Sequence, residues 1–226
     1  MQEQFVSITA DELQLDGILV LPERAVGIVL FAHGSSPASG GDYLNAAMHA
    51  TNATSQDFLR AGIATLRFNQ GDVAPAGGSN GHAYFVHSDI VLLARQLEKA
   101  LRWLQVDVST RHLPCGLYGD GVSAAVVMQL AAWSGNQVAA LAVCDGQMGM
   151  AGKTTLENVR VPSLLMVGGH DPDVLGLNRM AFATLHCDKQ LEQVAAPGGL
   201  DARHQAALLA TDWYTHHFNG HASTVQ

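Results

Sequence analysis

Basic side chains are scarce in this chain. Twelve Lys and Arg stand against twenty Asp and Glu, a formal charge of -8 at pH 7. With no Lys/Arg run anywhere, the sequence offers no nucleic-acid face. Long apolar runs are missing as well: nowhere does the chain stay apolar for the ~20 residues a membrane span needs. The opening Met1-Gln2-Glu3-Gln4-Phe5 has neither the basic nor the apolar region of a secretory signal. Cysteine is limited to Cys115, Cys144 and Cys187. An odd count, with two of the three in strand-like runs, excludes a disulfide framework and predicts buried, reduced thiols in a cytoplasmic protein. There is no internal repeat, low-complexity segment or linker.

What is present is apolar and well patterned. With 226 residues, 48% hydrophobic and 14% charged, one domain over 1–218 is expected, with a frayed tail at 219–226. A chain of this length buries roughly 70–75% of its unfolded surface. Phe5–Ile8 and Leu13–Val20 predict a hairpin, and the continuous apolar run Val26–Ala32 predicts a strand buried on both faces. Ile63–Phe68, Leu113–Tyr118, Val138–Cys144, Ser163–Val167 and Gln190–Val194 predict further strands. Between them, helical patterns run to Ala61-Gly62, from Ser88 through Leu104, from Ala124 to Trp133, over Leu175–Leu185 and around Gln205–His217. Alternating strands and helices predict an α/β fold, a mostly parallel sheet with helices on both faces, whose ligands sit at the carboxyl ends of the strands.

Four segments carry a resemblance. Leu30-Phe31-Ala32-His33-Gly34-Ser35 is a strand running into a His-Gly turn, and Gly119-Asp120-Gly121-Val122-Ser123 is a tight turn from a strand into a helix. Val161 to Asp171 is a strand ending in Gly-Gly-His-Asp, and Pro197-Gly198-Gly199-Leu200-Asp201 precedes the last helix. In order and spacing the chain resembles an α/β-hydrolase of the dienelactone hydrolase-like group over nearly its whole length. The resemblance implies the α/β-hydrolase fold and a nucleophile elbow at residue 121, where small residues are required two places before and after the nucleophile. Gly119 and Ser123 meet that requirement. It also implies an acidic triad member at Asp171, a histidine at 201, and a ligand-binding rim of His33, Gly34, Ser35 and the amide of Val122.

Two of the three triad roles are unfilled by this reading: Gly121 stands for the serine or cysteine, and Asp201 for the histidine. The loop after Asp201 is about six residues shorter than the family pattern, so His204 is the candidate to enter the vacant space, within about 2.6–3.2 Å of Asp171 or Asp201. The alternative is that it opens the final helix and faces solvent. Ser123 satisfies the small-x-nucleophile-x-small rule in its own right, or else is a helix-start serine packed on the sheet. Asp120 could attack as in haloalkane dehalogenases, but its flanking residues, Tyr118 and Val122, are too large for the turn. The other reading has it place charge at a helix N-terminus. His33 is expected to orient its loop rather than transfer protons.

The eleven histidines show no zinc spacing, and neither a metal nor a cofactor is expected. Asp72–His82, rich in glycine, follows a strand at its carboxyl end and is either a lid or an unstructured stretch. Gly77-Gly78-Ser79 lacks the lysine and helix of a phosphate cradle. The functional expectation is a degenerate-triad descendant of the hydrolase fold that binds a small organic molecule or a partner, with a homo-oligomer possible. The alternative is a hydrolase or lyase acting on a small ester, lactone or carbonyl compound through Asp120, Asp171 and His204, with Ser123 less favoured. Acid–base chemistry survives loss of a nucleophile better than acyl transfer does.

Overall fold

The computed structural model describes residues 1–10, 13–32, 53–68, 87–168, 172–194 and 200–222, with the backbone alone at 10, 13, 87, 88, 200, 201, 221 and 222. The strands are β1 (Gln2–Ala10), β2 (Leu13–Leu21), β3 (Gly27–Ala32), β4 (Ile63–Phe68), β5 (Cys115–Asp120), β6 (Ala140–Cys144), β7 (Ser163–Gly168) and β8 (Lys189–Val194). The helices are α1 (53–60), α2 (His87–Val106), α3 (Ser123–Ser134), α4 (Lys153–Asn158), α5 (Pro172–Thr184) and α6 (Leu200–Ala222). One eight-stranded sheet runs in the order β1-β2-β4-β3-β5-β6-β7-β8. The opening hairpin is antiparallel and joins β4 antiparallel; every other pairing is parallel. The expected α/β architecture is the one found.

Burial explains the patterning. All six residues of β3 are buried, as they must be with helices on both faces. One core lies between the sheet and α2 and α3, around Leu30, Leu66, Leu97 and Leu117. A second, aromatic core fills the other face, where Phe31, Phe58, Tyr118, Tyr214 and Phe218 join the sheet to α1 and α6. Tilted and edge-on ring pairs 5.1–5.9 Å apart link Phe31, Phe58 and Tyr118. With Phe218 anchored in that core, α6 continues to Ala222, four residues beyond the predicted end of the ordered chain. A helix anchored by its last buried ring can carry one further exposed turn.

Strand order also places the site. From β3 the chain steps to β4 on one side and later to β5 on the other. In open α/β sheets this reversal leaves a crevice at the carboxyl ends of the two diverging strands. The turn after β5 is one wall of that crevice.

Candidate functional site

β5 ends at Asp120, Gly121 and Val122 form the turn, and α3 begins at Ser123. Gly121 has φ +50°, the left-handed conformation of a tight strand-to-helix turn. Both of its peptide groups are held by the segment after β6. The Gly121 N–H donates to the Cys144 carbonyl at 3.2 Å, and the Gln147 N–H donates to the Gly121 carbonyl at 2.8 Å. A side chain at residue 119 would place its Cβ 2.7 Å from the Ser123 carbonyl oxygen, so glycine is obligatory there. At Gly121 itself a Cβ would meet no described atom within 4 Å. As a glycine, residue 121 carries no side chain into that space.

Ser123 is buried, 1% exposed. Its hydroxyl accepts from the Asp120 N–H at 2.8 Å and donates to the Asp120 carbonyl at 2.7 Å, with the carboxylate Oδ1 at 3.1 Å. It closes the turn from beneath, which matches the helix-start reading rather than a shifted elbow. Burial pushes the Asp120 carboxyl above its usual range, opposed by the Ser123 hydrogen bond and the charge of Arg203 and reinforced by Asp145. Burial likewise raises the Cys144 thiol, with Asp145 and Asp120 adding to the shift. None of the three cysteines is bridged, and burial lifts the Cys115 thiol to about 12.

Sequence reasoning missed three residues here. Asp145, at the end of β6, is left-handed with φ +48°, and its carboxylate accepts the Gly168 N–H at 2.6 Å. That bond ties the turn after β6 to the end of β7. Asn178, fully buried on α5, donates to the Gly146 carbonyl at 3.2 Å and supports the same turn. Arg203 is exposed on α6, yet its charge acts on both Asp120 and Cys144. The Asp-Gly pair at 145–146, directly after an apolar strand, was the available signal for the first. The other two depend on long-range packing.

His204 has a described partner on another helix. Its Nδ1 lies 3.0 Å from Oδ2 of Asp57 on α1, a carboxylate that Arg60 also engages at 2.8 Å. Its expected partners, Asp171 and the Asp201 side chain, lie outside the described residues. Successive helical residues diverge by about 100°, so α6 cannot turn Arg203 and His204 toward the same place. Arg203 is the one whose charge reaches the elbow. The His204 side chain is 57% exposed. His33, Gly34, Ser35, Asp171 and the glycine-rich stretch Asp72–His82 lie outside the described residues, as does the side chain of Asp201. Among the described residues no group of three or more metal-ligating side chains converges, and no helix is long and apolar enough to cross a membrane.

This geometry has parallels among solved structures. Dienelactone hydrolase from Anabaena variabilis superposes with a TM-score of 0.77 at 29% identity, over 96% of this chain and 98% of that one. The esterase Est1E of Butyrivibrio proteoclasticus, solved with ferulic acid, superposes at 0.72 with 11% identity over 95% and 99%. The chain has the α/β-hydrolase fold. Among curated proteins it is 33% identical to a Mycobacterium tuberculosis protein named "Putative phosphoribosyl transferase", over 97% of this chain. The chain spans about half the length of that relative, 48%. No protein-family model matches. The α/β-hydrolase fold thus rests on strand order, elbow geometry and superposition together.

Proposed function

We propose that this chain is a non-hydrolytic member of the α/β-hydrolase fold that binds a small organic molecule in the crevice at the elbow. One observation carries the reading: Gly121 holds the left-handed turn of a nucleophile, with no side chain and no described atom within 4 Å of where its Cβ would be. Two others support it. Ser123, a hydroxyl two residues on, is buried and committed to Asp120 at both its donor and acceptor sides. His204, a candidate base, is paired with Asp57. Acyl transfer needs a nucleophile and a base in mutual contact, and the commitments of Ser123 and His204 count against that pairing. The mycobacterial relative is about twice as long as the stretch that aligns here.

A second reading is favoured by Asp120. A carboxyl whose pKa is raised by burial keeps its proton to higher pH than an ordinary carboxylate and can serve as a general acid, which suits a lyase-type step on a carbonyl compound. Two measurements separate the readings. A fluorophosphonate probe should leave the native chain unlabelled, and p-nitrophenyl acetate turnover should not exceed that of surface histidines. Small lactones and esters should raise its melting temperature, and Gly121→Leu should abolish that rise by filling the space. Stoichiometric labelling at Ser123 would overturn the non-hydrolytic reading, and turnover of a lactone lost in Asp120→Asn would favour the second. Gly121→Ser combined with Asp201→His should restore some esterase activity if only the triad was lost.

A further inference from the structure

At the amino-terminal ends of β7 and β8, away from the elbow, the last turns of α6 leave a groove of about 390 Å³. Its apolar walls are Leu164, Leu209 and the indole of Trp213, and its rim carries Asp188 and Asp212. Two buried polar atoms in its lining have no hydrogen-bond partner, Trp213 Nε1 and His217 Nε2. A buried donor or acceptor left unmade costs about 1–3 kcal/mol, and here two such atoms stand a helical turn apart. The rings of Trp213 and His217 meet edge-on at 4.3 Å. His217 Nε2 is 3.8 Å from the Asp188 carboxylate, too far for a hydrogen bond. Burial and the neighbouring His216 lower the His217 pKa against the opposing pull of Asp188, which favours the neutral ring. No lysine or arginine lines the groove.

We propose that this groove is a ligand site for a small cation, an alkyl guanidine or amine that also carries a carbonyl acceptor. Each part of such a molecule answers a group already in place. The cationic head meets Asp188 beside the His217 ring, the methylene stem lies on Leu164 and Leu209, and the carbonyl takes the Trp213 indole N–H. The indole face adds a cation–π contact. An anion would meet two carboxylates, and a purely apolar ligand would leave both buried polar atoms unmade.

N-acetylargininamide tests the assignment, followed by calorimetry and by the fluorescence of Trp213. Its neutral counterpart, N-acetylcitrullinamide, has the same shape without the charge. Saturable binding of the arginine compound is expected, weakened about tenfold or more in the citrulline compound. Asp188→Asn with Asp212→Asn should weaken it similarly, and both residues are exposed enough for the variant to fold. Trp213→Phe keeps the ring and removes the N–H, and should cost about fivefold, one hydrogen bond. Gly121→Ser should bind with wild-type affinity, which separates this groove from the elbow. Absence of saturation up to about 10 mM, equal affinity for the citrulline compound, or an unchanged affinity in the double variant would each overturn the proposal.

Discussion

Two residues at the carboxyl ends of neighbouring strands share one unusual conformation. Gly121 after β5 has φ +50°, and Asp145 after β6 has φ +48°. The first is a glycine whose Cβ would meet no described atom within 4 Å; the second is a non-glycine residue whose carboxylate is held by the Gly168 N–H. For an L-residue this conformation costs about 1–2 kcal/mol, which Asp145 offsets with a charge-assisted hydrogen bond and Gly121 never incurs. The contrast teaches that the elbow is shaped from outside. Cys144 and Gln147 grip the Gly121 peptide groups on both sides, so the left-handed turn does not depend on which residue occupies it.

The comparison breaks most easily at Gly119. Its Cβ position is 2.7 Å from backbone oxygen and 2.9 Å from backbone carbon of Ser123, and backbone cannot move aside as a side-chain tip can. Gly119→Ala should lower stability by about 3 kcal/mol, the upper range for overpacking, with a matching fall in chemical-denaturation midpoint. A loss below about 1 kcal/mol would mean that the turn is looser than its hydrogen bonds suggest. Asp145→Ala comes next, at about 2 kcal/mol, since it leaves the Gly168 N–H unpaired and keeps the strained φ. Asp145→Gly should recover roughly half of that, because glycine removes the strain and not the lost bond.

Gly121→Ser sharpens the comparison directly. The hydroxymethyl group enters open space, so only the left-handed penalty of about 1 kcal/mol applies. If the drop matches that of Gly119→Ala, residues outside those described press on the elbow and the space is not free.

How much of this was written in the sequence depends on the range of the interaction. Gly121 was legible as the turn between strand and helix because glycine spacing and the apolar run into an alanine-rich helix are local signals. The β5 boundary was not: the strand starts at Cys115 and runs through Asp120, two residues later than Leu113–Tyr118, because Asp120 pairs with Cys144 across the sheet. α4 has only six residues, too few to show a helical period. The fate of His204 was illegible for the same reason as the β5 boundary. Its partner, Asp57, is 147 residues away, and nothing near either residue in sequence points to the other.

Asp120 changes a slope more than a level. Its folded-state pKa is raised above that of the unfolded chain, mainly by burial, so between those two values the folded state holds more protons. Its contribution to stability is therefore full below the ordinary carboxylate range, about pH 4, and is lost as pH rises through the raised value. Asp120→Asn, which can still accept from Ser123, should flatten this decline. Denaturation of both proteins from pH 4 to pH 8 tests it: parallel curves would show that Asp120 ionises freely, and with that the acid–base reading of the elbow would lose its support.

The smallest effect is expected at His204. Its bond to Asp57 joins α1 to α6 across the aromatic face, but the imidazole is more than half exposed while the carboxylate is only 11% exposed. Exposed ion pairs contribute between nothing and about 1 kcal/mol, and Asp57 retains Arg60 as a partner when the histidine is removed. His204→Gln should therefore shift stability by less than about 0.5 kcal/mol and leave any ligand affinity at the elbow unaltered. Arg203→Gln, one residue earlier, is the informative partner experiment. Arg203 is the cation whose charge lowers the pKa of Asp120, so removing it should push that carboxyl further up, whereas His204→Gln should not. Should the two variants move Asp120 equally, α6 presents both residues to the elbow, and the divergence between Arg203 and His204 would have to be abandoned.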